Sequence, residues 1–207
     1  MENKKKIEPI RKAFGEYFDS LELVEADLLD ETSMMKAIEG SSFVAHIASP
    51  FVTAKPKHED ELIKPAVNGT LAAMKACRAN KVKRLVITSS VASIASVKKE
   101  EWPDDGVFTE EHWTDVASTQ AYSKSKTLAE KAAWDYIKDL PEDEKFEVVT
   151  INPSLIVGPA ICGPGFTSQS IIADIVLGKH PGLPKVKMGL VDIREVAEAH
   201  FKALEVE

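Results

Sequence analysis

Short apolar runs alternate with longer stretches of helical periodicity along this chain, and that alternation limits the fold more than any other feature. Residues 21–27, 43–47, 84–88 and 146–152 read as strands rich in Val, Ile, Leu and Phe. Residues 32–38, 59–80 and 119–137 repeat apolar side chains at helical spacing, and a lysine-rich helix over residues 4–18, ending near Gly15, comes first. Strands separated by such helices pair in parallel, because each helix carries the chain back to the starting end of the sheet. The expected fold class is therefore α/β, a parallel sheet covered by helices on both faces.

In a parallel sheet the strand ends fall along one edge, where open α/β sheets hold ligands. Asp27, the segment Ala48-Ser49-Pro50, the pair Ser89-Ser90 and Pro153 each stand at the carboxyl end of an expected strand. Tyr122 and Lys126 lie four residues apart on the helix over 119–137, one turn above each other and about 6 Å apart along the axis. An ammonium beside a phenol favours the phenolate, which suits the tyrosine to exchange a proton near neutral pH. In isolation that spacing also describes a half-buried Tyr beside a solvated Lys. Thr88-Ser89-Ser90, at the end of an apolar strand, adds hydroxyls at the same edge.

Bulk properties narrow the function classes. The 207 residues and 44% hydrophobic content suit one soluble domain, or one with a small appendage. A net charge of −7 with dispersed acids argues against a nucleic-acid partner. No apolar run approaches the ~20 residues that cross a bilayer, and the residues after the Lys-rich start do not form a signal segment, so cytoplasmic residence without a membrane partner is expected. Two cysteines, Cys77 and Cys162, lack CxxC spacing and read as reduced thiols. The five histidines, at 46, 58, 112, 180 and 200, show no metal-ligand spacing, and no metal site is expected.

Asp27-Leu28, His46-Ile47-Ala48-Ser49-Pro50-Phe51, Pro65-Ala66-Val67-Asn68-Gly69-Thr70, Thr88-Ser89-Ser90, Tyr122 to Lys126 with Ala129 to Trp134, Asn152-Pro153, Val157-Gly158-Pro159 and Val191 to Ala197 follow one another in this order. In that order and spacing the chain resembles the extended short-chain dehydrogenase/reductases of the NAD-dependent epimerase/dehydratase type, nearest the dihydroflavonol reductase, cinnamoyl-CoA reductase and fungal aldehyde/ketone reductase group. The resemblance implies a Rossmann-like doubly wound sheet, NADP or NAD as cofactor, and a small carbonyl or alcohol as substrate. It implies that Tyr122 protonates the carbonyl oxygen, that Lys126 holds the nicotinamide ribose, and that Ser90 hydrogen-bonds the carbonyl. Ser90 is chosen over Ser89 because the family's serine ends the run and alternation turns Ser89 to the other face. Asp27 and Leu28 would border the adenine, Ala48, Ser49 and Pro50 the dinucleotide, and Asn68, Pro153, Ile156 and Ser168 the nicotinamide side. The plain alternatives are a strand-end hydrogen bond for Ser90 and a turn cap for Asp27. Asp192 reads as structural, spaced from Glu195 as a capping box.

The departures from the family shape further expectations. The ten glycines form no glycine-rich turn opening a helix, so the pyrophosphate cradle of the family is missing from this sequence. The fold is expected to lack its first β-α-β unit, with residues 1–158 an incomplete dinucleotide-binding domain and 159–207 part of a substrate domain. In the family's strand order two absent strands would separate residues 21–27 from 43–47 by about 14 Å. The first run should then pair directly with the second or be loosely held, and the chain should bind a dinucleotide weakly or not at all. Ala95 stands where dihydroflavonol reductases carry asparagine, so a flavonoid substrate is not implied. Two other readings stay open: a non-catalytic remnant or interaction module on the reductase scaffold, and a sugar-nucleotide epimerase or dehydratase.

Overall fold

The structure, a computed structural model, describes residues 4–49, 56–161, 167–179, 181–182, 185 and 188–206. In chain order its elements are α1 (Lys4–Phe14), α2 (Glu31–Ile38), β1 (Phe43–His46), α3 (Asp60–Ala79), β2 (Arg84–Thr88), α4 (Ala121–Asp139), β3 (Glu147–Ile151), β4 (Leu155–Val157), α5 (Thr167–Val176), β5 (Leu190–Asp192) and α6 (Ile193–Glu205). The chain packs as two units, one from residues 4–24 and 155–196, the other from 25–154 and 197–206.

The larger unit holds a three-stranded parallel sheet in the order β1-β2-β3. Phe43 faces Arg84 and Arg84 faces Glu147, so the three strands start level and end level. Central β2 is buried through Arg84, Leu85, Val86 and Ile87, which explains its unbroken apolar run: a strand covered on both faces has no polar side to show. Leu85 and Ile87 share a core with Met34, Ile38, Met74, Cys77 and Val82. Burial pushes the Cys77 thiol up to about 12, which keeps it protonated.

Helices α3 and α4 pack together, and small side chains are buried on both: Ala66, Thr70 and Ala73 on α3, and Ser125, Ala129 and Ala133 on α4. Helical spacing marks Ala121, Leu128, Ala129, Ala132 and Trp134 as the apolar positions of this helix, and of these Ala129 is buried. Leu128 is only partly buried, and Trp134 is 36% exposed. The Ser125 and Thr127 hydroxyls on α4 are satisfied by the carbonyls of Tyr122 and Ser123 at 2.7 Å.

Residues 21–27 form no strand, and Leu21, Leu23 and Val24 are exposed. The sequence supplies alternation there but no neighbour for the backbone N–H and C=O groups, and an unpaired strand gains nothing over solvated chain. Of the two expected outcomes for this run, direct pairing with β1 is overturned. Helix α2 begins and ends as its sequence indicates: the Asp30 carboxylate accepts from the Thr32 N–H at 3.0 Å, and Gly40 takes φ +76° beyond its last turn.

In the smaller unit β4 and β5 pair in parallel, Leu155 opposite Leu190. These three-residue strands are too short for periodicity to reveal. Asp192 opens α6 with its carboxylate bonded to Arg194 rather than in the expected capping box with Glu195: it accepts from the Arg194 N–H at 2.8 Å and from the Arg194 guanidinium at 2.9 and 2.6 Å. These bonds hold its pKa down to about 2.

Candidate active site

Level strand ends place the segments that follow β1, β2 and β3 along one edge of the sheet. The Ser89 N–H donates to the Ile151 carbonyl at 2.8 Å and the Val91 N–H to the Pro153 carbonyl at 3.1 Å, so the chain after β2 continues alongside the chain after β3. Ser90 ends this run in extended backbone, φ −164° and ψ 152°, and its hydroxyl accepts from the Ala92 N–H at 3.1 Å, opening a single turn over Val91–Ser93. Ser89 points elsewhere. Its hydroxyl donates to the buried Glu130 carboxylate of α4, so the two neighbouring serines have separate partners, as strand alternation requires.

Helix α4 packs against the Val91–Ser93 turn, bringing the helix of Tyr122 and Lys126 to the segment of Ser90. Tyr122 and Lys126 are half-buried. Burial pushes the Lys126 ammonium below the usual lysine range, and among the described residues no carboxylate pairs with it. Its neighbour Lys124 is different, bonded to Glu59 at 2.8 Å.

His46, the last residue of β1, is 7% exposed, and burial first and the Lys126 ammonium second pull its pKa from 6.5 down to about 4. The sheet edge therefore carries one cation beside a neutral imidazole. Because the folded pKa lies below the unfolded one, this contribution to stability is whole above pH 6.5 and is lost as pH falls towards about 4, by up to about 3 kcal/mol. Urea midpoints at about pH 7 and about pH 4.5 should separate by more in the parent chain than in His46→Gln. Equal separations would rule the histidine out as their source.

The other expected site residues are dispersed. Ala48 is exposed and Ser49 half-buried just beyond β1, while Pro50 lies outside the described residues. Asp27 is exposed; its carboxylate accepts from the Leu29 N–H at 2.9 Å, the turn cap that was its plain alternative, and its own N–H donates to Ser33 Oγ at 2.9 Å. Leu28 lies over Gly69 of α3, where an added Cβ would come within 3.3 Å of it. Asn68 is exposed on α3, and Pro153 sits beside Val91 as described. Ile156 and Ser168 belong to the smaller unit, where with Val157, Gly158, Pro159 and Gln169 they line a hollow of about 350 Å³. Among the described residues, no group of three or more His, Cys, Asp or Glu could hold a metal ion. No helix among them is long and apolar enough to cross a membrane.

Sequence reasoning missed the polar joint beneath this edge. Glu130, 5% exposed, accepts from Ser93 Oγ at 2.7 Å and Asn152 Nδ2 at 2.8 Å as well as from Ser89. The available signal was spacing: Tyr122, Lys126 and Glu130 fall at four-residue intervals, one stripe of one helix. A second anchor was also missed. Thr88 Oγ1 and the His200 ring share a hydrogen bond of 2.6 Å, and Arg84 donates to the Ala203 carbonyl at 3.0 Å, so the last turns of α6 hold both ends of β2.

A parallel sheet whose strands are joined through helices is a Rossmann-like architecture. The chain belongs to the 3-beta hydroxysteroid dehydrogenase/isomerase family, whose model matches residues 6–162. It is 36% identical over 207 residues to cinnamoyl-CoA reductase CAD2 of Medicago truncatula, covering 97% of this chain and 61% of that protein. It is 32% identical over 206 residues to a (2S)-flavan-3-ol-forming anthocyanidin reductase of Vitis vinifera, covering 90% of this chain and 58% of the relative. Among solved structures, yeast methylglyoxal/isovaleraldehyde reductase Gre2 complexed with NADPH superposes with a TM-score of 0.78 at 26% identity, over 100% of this chain and 66% of that one. The chain thus spans about three-fifths of the length of the curated relatives it matches.

Proposed function

We propose that this chain carries the catalytic edge of an NAD(P)-dependent reductase of aldehydes or ketones. The observation that supports this most is the packing of α4 against the turn that follows Ser90, with Lys126 desolvated on that helix and free of any described carboxylate. The cofactor, when bound, supplies hydride to the carbonyl carbon. Ser90 donates a hydrogen bond to the carbonyl oxygen and fixes its direction. Tyr122 gives that oxygen the proton it needs as charge builds, which is general acid catalysis by a positioned phenol. Lys126 offsets the negative charge left on the phenol and holds the ribose hydroxyls. His46, kept neutral, adds no second cation beside it.

In this reading Asp27 and Leu28 border the adenine, Ala48, Ser49 and Pro50 pass along the dinucleotide, and Asn68, Pro153, Ile156 and Ser168 border the nicotinamide side. Residues 1–158 then form the dinucleotide side and 159–207 the substrate side. The reading extends to the chain with its natural flanking sequence the reductase chemistry named for the plant and yeast relatives. A purified preparation of that protein should consume NADPH with a small keto-aldehyde and leave a UDP-sugar unchanged. Turnover of the UDP-sugar without net NADPH consumption would show an epimerase instead, and binding without either reaction a non-catalytic module.

A further inference from the structure

We infer that Glu130 is the positioning residue of this edge: through Ser89, Ser93 and Asn152 its carboxylate sets where the Ser90 hydroxyl stands relative to Tyr122 and Lys126. The inference rests on the reading of Ser90 and Tyr122 as reacting groups.

A glutamate at 5% exposure is unusual, because a buried carboxylate loses its hydration and needs strong partners in exchange. Glu130 has three, all reaching one oxygen, Oε2: the Ser89 hydroxyl, the Ser93 hydroxyl at 2.7 Å and the Asn152 amide at 2.8 Å. No cation pairs with it among the described residues, so the joint is built from short neutral donors whose directions the carboxylate fixes.

Two of those donors also hold Ser90. Ser93 Oγ lies 2.7 Å and Asn152 Nδ2 3.2 Å from the Ser90 carbonyl, and Asn152 Nδ2 lies 2.9 Å from Ser93 Oγ. Ser93 has one hydroxyl proton and can serve Glu130 or Ser90 at any moment, whereas the Asn152 amide has two and can serve both. The acceptor-only carboxylate therefore decides how both side chains turn, and through them how the Ser90 carbonyl and the Val91–Ser93 turn are held. Glu130 also lies eight residues beyond Tyr122, about 12 Å along the same helix. One carboxylate thus joins the helix of the phenol to the strand end of the hydroxyl.

Glu130→Gln tests this with little change of volume. The glutamine amide oxygen can take the place of Oε2, but it is neutral, so all three donors exchange a charge-assisted bond for a weaker one and the joint loosens although the cavity stays filled. Amide hydrogen exchange in the 207-residue chain should accelerate about tenfold or more at Val91, Ala92 and Ser93, and by no more than about twofold at Leu85, Val86 and Ile87 in β2. Acceleration shared evenly by both sets, or by neither, would overturn the inference. Should Glu130→Gln fail to fold, Ser93→Ala decides by the same comparison, since it removes a donor common to Glu130 and Ser90.

Turnover supplies the readout that a merely structural residue would not give. In the protein with its natural flanks, Glu130→Gln should lower kcat with little change in KM, and should cost almost nothing further once Ser90→Ala is present. Losses that add in the double variant would contradict action through Ser90. If the parent protein reduces no carbonyl, the proposed function fails while the exchange measurement still judges Glu130.

Discussion

Leu85→Ala should cost the folded chain 2–5 kcal/mol, on the order of the large-to-small losses seen in well-packed cores. Leu85 is fully buried in the middle of β2, the only strand of its sheet with a partner on each side, and it faces Val44 of β1 and Val148 of β3. Helices cover it through Met74 and Cys77 of α3 and Met34 and Ile38 of α2, all in the same core. Regular backbone pairing on both sides leaves these elements little room to collapse into the space, so the loss combines lost transfer energy with an unfilled cavity. For a domain whose whole stability is about 5–15 kcal/mol, such a loss is a large fraction. Ser89 and Ser90 follow β2 directly, so the site should be lost in the same unfolding transition. Urea midpoints give the answer, with Leu29→Ala as control: Leu29 is 60% exposed and its loss should stay within about 0.5 kcal/mol. Similar midpoints for the two variants would mean that this core is not what holds the sheet.

Much of the fold and part of the site were legible in the sequence, and particular residues show why. The run Arg84–Thr88 coincides with β2 because its burial on both faces removes polar side chains from the middle of the strand. Ser90 was preferred to Ser89 because the family's serine ends the run and alternation turns Ser89 aside; the two hydroxyls have separate partners, Glu130 for Ser89 and the Ala92 N–H for Ser90. Residues 21–27 misled for a physical reason: alternation records which face of a strand is apolar, but says nothing about whether a neighbour exists to pair with it. Strands β4 and β5 escaped because three residues carry too little pattern. Glu130 escaped because a glutamate on a helix reads as a solvent face. Its burial depends on Ser89, Ser93 and Asn152, which lie 41, 37 and 22 residues away in sequence. On α4 the apolar pattern picks out Ala129, which is buried, but not the buried Ser125, Thr127 and Ala133.

Tyr122→Phe removes one oxygen at the start of α4 and changes nothing else of size. Tyr122 is half-buried, and the backbone carbonyl that receives the Ser125 hydroxyl is retained in the variant. The helix and its packing against α3 should persist, so thermal unfolding should move little. Catalysis should not persist, because the phenol is the only group proposed to deliver a proton to the carbonyl oxygen, and a positioned acid is worth about a hundred- to ten-thousandfold in rate. Ser90 and Lys126 would still orient the carbonyl and the ribose, so NADPH and substrate should bind much as before, and the loss should fall on kcat rather than KM. The decisive assay is therefore NADPH-dependent reduction of a small keto-aldehyde by Tyr122→Phe beside its parent, both carrying their natural flanking sequence. The expected result is a fall of about a hundredfold or more in kcat with the unfolding temperature unchanged; a variant that turns over at the parental rate would contradict the assignment of Tyr122, and with it the chemistry proposed for this edge.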